Sequence, residues 1–238
     1  MKPYSLHPES IQHLFNNIAP TYDLLNHLLS LRRDIYWRRM AVREFKEDEG
    51  WMLDVATGTG DMAIELVRQN GLKKRVLGLD FSKLMLEKAQ EKILKRNLFH
   101  RVILGLGDAL SLPCRDSTFS GSMIAFGLRN IIHKEQALSE MVRVIKPGGK
   151  VVILEFTYPR NGLMRKIYPV YFKKILPWIG GWISGDKSAY DYLPDSVSRF
   201  RFVEEYEALM RQSGLTDVHT RPLTGGIASI ITGKKKDE

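Results

Sequence analysis

At 238 residues and 44% hydrophobic content, the chain has ample material for one core with one sizeable insertion. A single cysteine, Cys114, excludes a disulfide framework and a cysteine-rich metal site, and no run of about 18 uncharged apolar residues is present to span a membrane. The formal charge of +9 leaves nucleic acid, an anionic membrane surface or plain solubility open. The segment Met1-Lys2-Pro3-Tyr4-Ser5-Leu6-His7 lacks the apolar core of a signal peptide, and with the lone thiol this predicts a reducing, cytoplasmic setting. The six histidines show no metal-ligand spacing, so no metal is expected.

Residues 1–46 predict a helical cap. Ile11, Leu14, Phe15 and Ile18 fall at i, i+3, i+4, i+7, one face of a helix. Pro20-Thr21 interrupts, Tyr22 to Leu31 resumes, and Asp34 to Phe45 forms a third helix. From Trp51 the pattern changes to alternating strands and helices, which predicts a parallel doubly wound sheet over 47–156. Strands are expected near 51–57, 75–80, 101–106, 119–125 and 150–156, with helices near 61–70, 82–96 and 134–145. Ser82 suits the N-cap of the second helix, while Leu138, Met141, Val142 and Ile145 give the third its buried stripe. Residues 157–200 break the order: Pro159, Pro169, Pro177 and Pro194 punctuate an aromatic and basic insertion, read as a substrate lid. A helix from Glu204 to Ser213 comes next, then strands 215–222 and 227–232 joined by Leu223-Thr224-Gly225-Gly226, short enough for a hairpin.

The first strand carries the strongest chemical signal. Asp54 sits inside it, Gly58 and Gly60 make a tight turn, and Asp61 opens a helix. Glycines at such a turn let the backbone approach a ligand closely. Twenty residues beyond Gly60, Asp80 ends the second strand, where an acid holds a ribose diol. Those features specify a nucleoside cofactor, and NAD fits them too. Two observations favour S-adenosyl-L-methionine. Asp54 would repel a pyrophosphate, whereas a sulfonium and an ammonium tolerate it. Downstream, Asp108-Ala109 closes the third strand, and Lys146-Pro147-Gly148-Gly149 precedes the strand Val151 to Phe156, an order that a dinucleotide fold does not need. A parallel sheet ending in an antiparallel hairpin is the plan of Rossmann-like, class I S-adenosylmethionine-dependent methyltransferases. The expected fold is therefore α/β of that class, with the site at the carboxyl ends of the strands.

Several longer motifs are more particular. Phe15-Asn16-x-Ile18-Ala19-Pro20-x-Tyr22-Asp23-x-x-Asn26, Phe126-Gly127-Leu128-Arg129-Asn130 and Leu223-Thr224-Gly225-Gly226-Ile227 join Gly58-Thr59-Gly60-Asp61, Lys146-Pro147-Gly148-Gly149 and Leu154-Glu155-Phe156. With them the chain resembles, over nearly its whole length, the C-methyltransferases of menaquinone and ubiquinone biosynthesis, most of all those acting on demethylmenaquinone. The resemblance implies cofactor contacts at Thr59, Asp80, Asp108 and Ala109, alongside the turn residues Asp54, Gly58 and Gly60. It also implies a polyprenylated quinol as substrate. Three departures stand out: Ala125 where many relatives have Ser, Thr57 for a common Gly, and His27 for a common acid.

The chemistry then suggests roles. Asp80 takes the ribose hydroxyls, Asp108 the adenine amino group, the Ala109 amide a ring nitrogen, and Thr59 the methionyl end. Arg129 suits a phenolate stabiliser because it stays cationic. Tyr22 is expected to hydrogen-bond the quinol oxygen, and Asn130 to orient a neighbour or close a turn. In the insertion, Met164, Ile167, Tyr168, Tyr171 and Ile175 share a helical face opposite Lys166 and Lys173, with Trp178 and Trp182 beyond. Segment 163–183 therefore reads as a peripheral contact with the inner face of a membrane, or as a cover for the sheet, although Pro169 should kink it. A homodimer is allowed for, and nucleic acid is not expected as a partner. The competing readings are a methyltransferase acting on RNA or another small molecule, a non-catalytic cofactor-binding subunit, and an oxidoreductase. No Pro-Pro-Tyr-type strip lies after the fourth strand, which weighs against a base-modifying enzyme.

Overall fold

In a computed structural model, which describes residues 15–16, 18–46, 48–69, 74–158 and 202–237, the alternating pattern becomes one seven-stranded sheet. The strands are Gly50–Val55 (β1), Lys74–Asp80 (β2), Val102–Leu106 (β3), Phe119–Ala125 (β4), Ile145–Phe156 (β5), Leu215–Leu223 (β6) and Ala228–Lys235 (β7). Their order is β3-β2-β1-β4-β5-β7-β6. β1 to β5 pair in parallel, while β7 runs antiparallel to both β5 and β6. The chain thus winds outward from β1 in both directions, and the point of reversal lies between β1 and β4.

The helices are Tyr22–Leu29 (α1), Arg33–Val42 (α2), Asp61–Gln69 (α3), Lys83–Lys95 (α4), Lys134–Val144 (α5) and Val203–Gln212 (α6). Successive residues of a strand face opposite sides of a sheet, so β1 feeds two core layers. Met52 joins a layer with Trp37, Phe45, Ile64 and Leu66, beneath α2 and α3. Leu53 and Val55 join the other layer with Leu138, Met141, Tyr206 and Met210, beneath α5 and α6. With both faces covered, the strands are almost continuously apolar, as a parallel sheet requires. Each fully buried large aliphatic side chain contributes roughly 1.5–3 kcal/mol.

Two of the boundary differences from expectation have local reasons. α1 stops at Leu29 rather than Leu31, because Leu31 (φ 51°) and Arg32 (φ 61°) turn left-handed before α2 begins. β5 starts at Ile145, inside the expected helix end. Ile145 pairs with Phe119, the ladder bulges over Lys146-Pro147-Gly148-Gly149, and pairing resumes at Gly121 and Lys150. Gly148 has φ +74°, and a β-carbon there would lie 2.5 Å from an Asp237 carboxylate oxygen. Ser82 caps α4, its hydroxyl accepting the Met85 amide at 3.2 Å. The hairpin between β6 and β7 turns through Thr224–Gly226.

Ile11, Leu14 and the insertion from Pro159 to Phe200, with its segment 163–183, lie outside the described residues. Among the described residues, no helix is long and apolar enough to cross a membrane.

Candidate active site

The carboxyl ends of β1, β2 and β4 open into a cavity of about 430 Å³. Register brings the three ends level. Val55 of β1 pairs with Leu79 on one side and Ile124 on the other, one residue short of Asp80 and Ala125. Immediately beyond, two non-glycine residues of the cavity wall take left-handed backbone, Ala56 at φ 52° and Phe126 at φ 56°. Such conformations are costly and gather at ligand sites, where surrounding packing imposes them.

Gly58, Asp80, Asp108 and Ala109 line this cavity. Gly58 has φ +55°, and a β-carbon placed there would meet nothing within 4 Å, so the turn leaves open space where a ligand would approach. Asp80 is 5% exposed. One of its oxygens accepts the Gly58 amide at 2.8 Å and the other the Ser82 amide at 2.8 Å. The carboxylate thereby ties the tip of β2 to the glycine turn and keeps acceptor capacity for a ligand hydroxyl. Burial pushes its pKa upward, against the three backbone amides, those of Ser82, Gly58 and Phe81, that favour its charged form. Asp108 is exposed, with its side chain accepting the Leu110 amide at 2.9 Å. Leu79, Phe81, Met85 and Leu112 add apolar wall, suited to a flat base.

Asp54, Thr59 and Gly60 stand behind the turn rather than in the cavity lining. Asp54 is 1% exposed; one oxygen accepts the Thr57 hydroxyl at 2.5 Å and the Ala63 amide at 3.1 Å, while the other has no hydrogen-bond partner. Burial pushes its pKa up to about 7, despite those two bonds and the charge of Arg38. The Thr59 hydroxyl donates to Asp23 at 2.5 Å and accepts from Lys92 at 3.1 Å. Gly60 packs so tightly that a β-carbon would stand 3.0 Å from that of Ala89.

Tyr22 and Asn130 line the same cavity, with Phe15, Phe126, Ile131 and Ile132. Tyr22 meets Phe15 edge to face at 6.1 Å. Burial raises the Tyr22 phenol, opposed by the positive charges of Arg129 and Arg38, so at neutral pH it is a protonated donor. Arg129 itself sits behind the cavity wall. Its guanidinium donates to the buried Glu155 carboxylate at 2.7 Å and to the Phe126 carbonyl at 2.5 Å, and it lies 5.3 Å over the Phe156 ring. Glu155 also accepts the Arg129 amide at 3.1 Å, so it holds the 3-10 turn Leu128–Asn130 through both the backbone and the side chain of its central residue. Arg38, held by Asp34 at 2.7 Å, lies 5.3 Å over the Phe126 ring, which packs against Phe156 at 4.7 Å. Two cations therefore lie over one aromatic pair, and both bear on Tyr22.

Sequence reasoning passed over Arg38, Glu155, Asp23 and Lys92. Glu155 had a signal: an acid in the apolar run Val151 to Phe156 needs a partner once buried. Asp23 was visible only as a motif letter beside Tyr22. Lys92 lies far from every motif, and only the packing of α4 against the turn brings it in.

Comparison with known proteins places the chain in a family. Residues 4–235 match the model of the ubiE/COQ5 methyltransferase family. A ubiquinone/menaquinone biosynthesis C-methyltransferase, UbiE, of Geobacter sulfurreducens is 46% identical over 228 residues, covering 95% of this chain and 89% of its own length. A demethylmenaquinone methyltransferase of Thermus thermophilus is 43% identical over 223 residues, covering 93% and 100%. Among solved structures, the [4+2]-cyclase SpnF superposes with a TM-score of 0.71 at 18% identity, covering 99% of this chain and 98% of that one. An S-adenosylmethionine-dependent methyltransferase of Thermotoga maritima, described as a possible histamine N-methyltransferase, gives 0.66 at 22% identity, covering 94% and 99%. At these identities the two structures speak for the fold alone.

Proposed function

The chain belongs to the ubiE/COQ5 methyltransferase family, and from that premise we propose that it methylates a ring carbon of a polyprenylated quinol, using S-adenosylmethionine. The observation that carries this reading is a single cavity in which a first set of residues, Asp80, Asp108 and Gly58, and a second, Tyr22 and Asn130, line the same space.

The first set fits the cofactor. Asp80 faces the cavity with both oxygens anchored by amides and acceptor capacity to spare, which suits a ribose diol. Asp108 and the Ala109 amide suit the edge of adenine, and the orphaned oxygen of Asp54 and the hydroxyl of Thr59 stand behind the turn on the methionyl side. When bound, the cofactor supplies a methyl group activated by its sulfonium.

The second set suits the acceptor. A quinone carbon is electrophilic, so the ring must be the reduced quinol, nucleophilic ortho to its oxygen. Tyr22, kept protonated by burial, donates a hydrogen bond to that oxygen. Arg129 and Arg38 contribute positive charge from behind the wall, favouring quinolate over quinol without touching it. Asn130, carried by the Glu155-anchored turn, orients the ring. Phe15, Phe126 and Ile132 exclude water along the path of an apolar tail. Holding the ring carbon in line with the transferred methyl is worth roughly 7–11 kcal/mol of the barrier. We assign the reaction to the inner membrane surface, with segment 163–183 as its peripheral contact, because the tail must be drawn from lipid.

Labelled methyl transfer tests the reading. Under reducing conditions the protein is offered demethylmenaquinol, a demethylated methoxybenzoquinol and bulk RNA in parallel. Label on one quinol ring carbon supports it and names the branch. Label on RNA alone, or on nothing despite cofactor binding, rejects it.

A further inference from the structure

Three side chains from three separate elements meet at Lys92 of α4. Its ammonium donates to Asp23 of α1 at 2.8 Å, to the Thr59 hydroxyl of the glycine turn at 3.1 Å, and to Asp61, the first residue of α3. Thr59 in turn donates its only hydroxyl proton to Asp23 at 2.5 Å. The cluster is shielded: Thr59 is 3% exposed, and the side chains of Lys92, Asp61 and Asp23 are 16%, 24% and 33% exposed. A neighbouring bond repeats the connection, the Ser82 hydroxyl donating to the Asn16 side chain at 2.6 Å.

Asp23 directly follows Tyr22 on α1. Successive helical residues point about 100° apart, so one side chain enters the cavity while the next reaches the turn. Wherever Asp23 is held, the Tyr22 hydroxyl is held with it. On the opposite side of the same carboxylate, Thr59 is oriented by the bond it donates. Cofactor or quinol, once bound, restricts the same short chain of bonds.

Resting on the function proposed above, we infer that Asp23 is a positioning residue that couples the cofactor turn to the quinol-facing helix through Thr59 and Lys92. Occupancy by one ligand then tightens binding of the other, and reciprocally. Asp23 touches neither cofactor nor quinol in this assignment.

Calorimetry with S-adenosylhomocysteine, with and without a short-chain demethylated naphthoquinol, tests the coupling. In the wild-type protein the naphthoquinol should tighten S-adenosylhomocysteine binding by about tenfold. Asp23→Asn, which keeps shape but loses charge, should abolish that enhancement. Lys92→Met should do the same from the core side, which keeps the test alive if the first variant misfolds. The double variant should lose no more than either single one, because both break one link. An effect on folding alone would lower the melting temperature and leave the enhancement ratio intact. An intact ratio in Asp23→Asn, additive losses in the double variant, or a wild-type affinity indifferent to naphthoquinol overturns the coupling. Failure of the wild type to bind S-adenosylhomocysteine overturns the methyltransferase reading itself, and the coupling with it.

Discussion

The guanidinium of Arg129 lies 2.7 Å from the carboxylate of Glu155, which has no exposure to solvent. An ion pair this deep is held by geometry rather than by net attraction, since both charges have lost most of their hydration. Here the same carboxylate also receives the Arg129 amide and the Phe156 amide, at 3.1 and 2.9 Å. Breaking one partner should therefore be costly. Glu155→Ala should lose about 3–5 kcal/mol of stability, read as a lower urea midpoint. Glu155→Gln, which still accepts hydrogen bonds, should lose less.

Asp54 sets a pH dependence. Its folded-state pKa, about 7, stands above the ordinary aspartate value because burial disfavours the charge. Between about pH 4 and pH 7 the folded protein holds a proton that the unfolded chain has released, so stability falls as pH rises through that window and levels off above it. The full penalty is roughly 4 kcal/mol at about 1.36 per pKa unit. Asp54→Asn should melt close to the wild type near pH 4 and progressively above it toward pH 7. A stability difference independent of pH would contradict the assignment.

Asp80→Asn replaces one of two carboxylate oxygens, which accept the Gly58 amide of the glycine turn and the Ser82 amide, with an NH2 donor. Cofactor affinity should fall by about 10–100-fold, the worth of a hydrogen bond to a charged group. Equilibrium binding of S-adenosylhomocysteine measures this without any quinol present.

Tyr22→Phe deletes only the hydroxyl, leaving the ring packed against Phe15. The turnover number on the quinol should drop roughly a hundredfold, with cofactor affinity nearly unchanged. A loss confined to cofactor binding would instead place Tyr22 against the cofactor.

Much of the fold was legible because it is local. The change from helical to alternating periodicity at Trp51, the glycine turn, and the acids at the ends of β2 and β3 all arise from short spacings. So does the antiparallel close, from Leu223-Thr224-Gly225-Gly226 between two apolar runs. Boundaries slipped where backbone chemistry overrode pattern, as at Leu31 and Arg32, whose left-handed conformation no propensity announces, and at Ile145, which belongs to a strand because Phe119 lies beside it.

Short spacings in the chain carried the class of fold and the kind of cofactor, because those depend on neighbours within one turn or one strand-helix unit. Which side chains come together at the candidate site depended on long-range packing. Arg38 and Arg129 come from segments 91 residues apart, yet both bear on Tyr22. Glu155 became the anchor of Arg129, and Lys92 the meeting point of Asp23, Thr59 and Asp61. Charges act through space across distances that sequence spacing does not encode, and burial, which sets their strength, exists only once the sheet has closed over them.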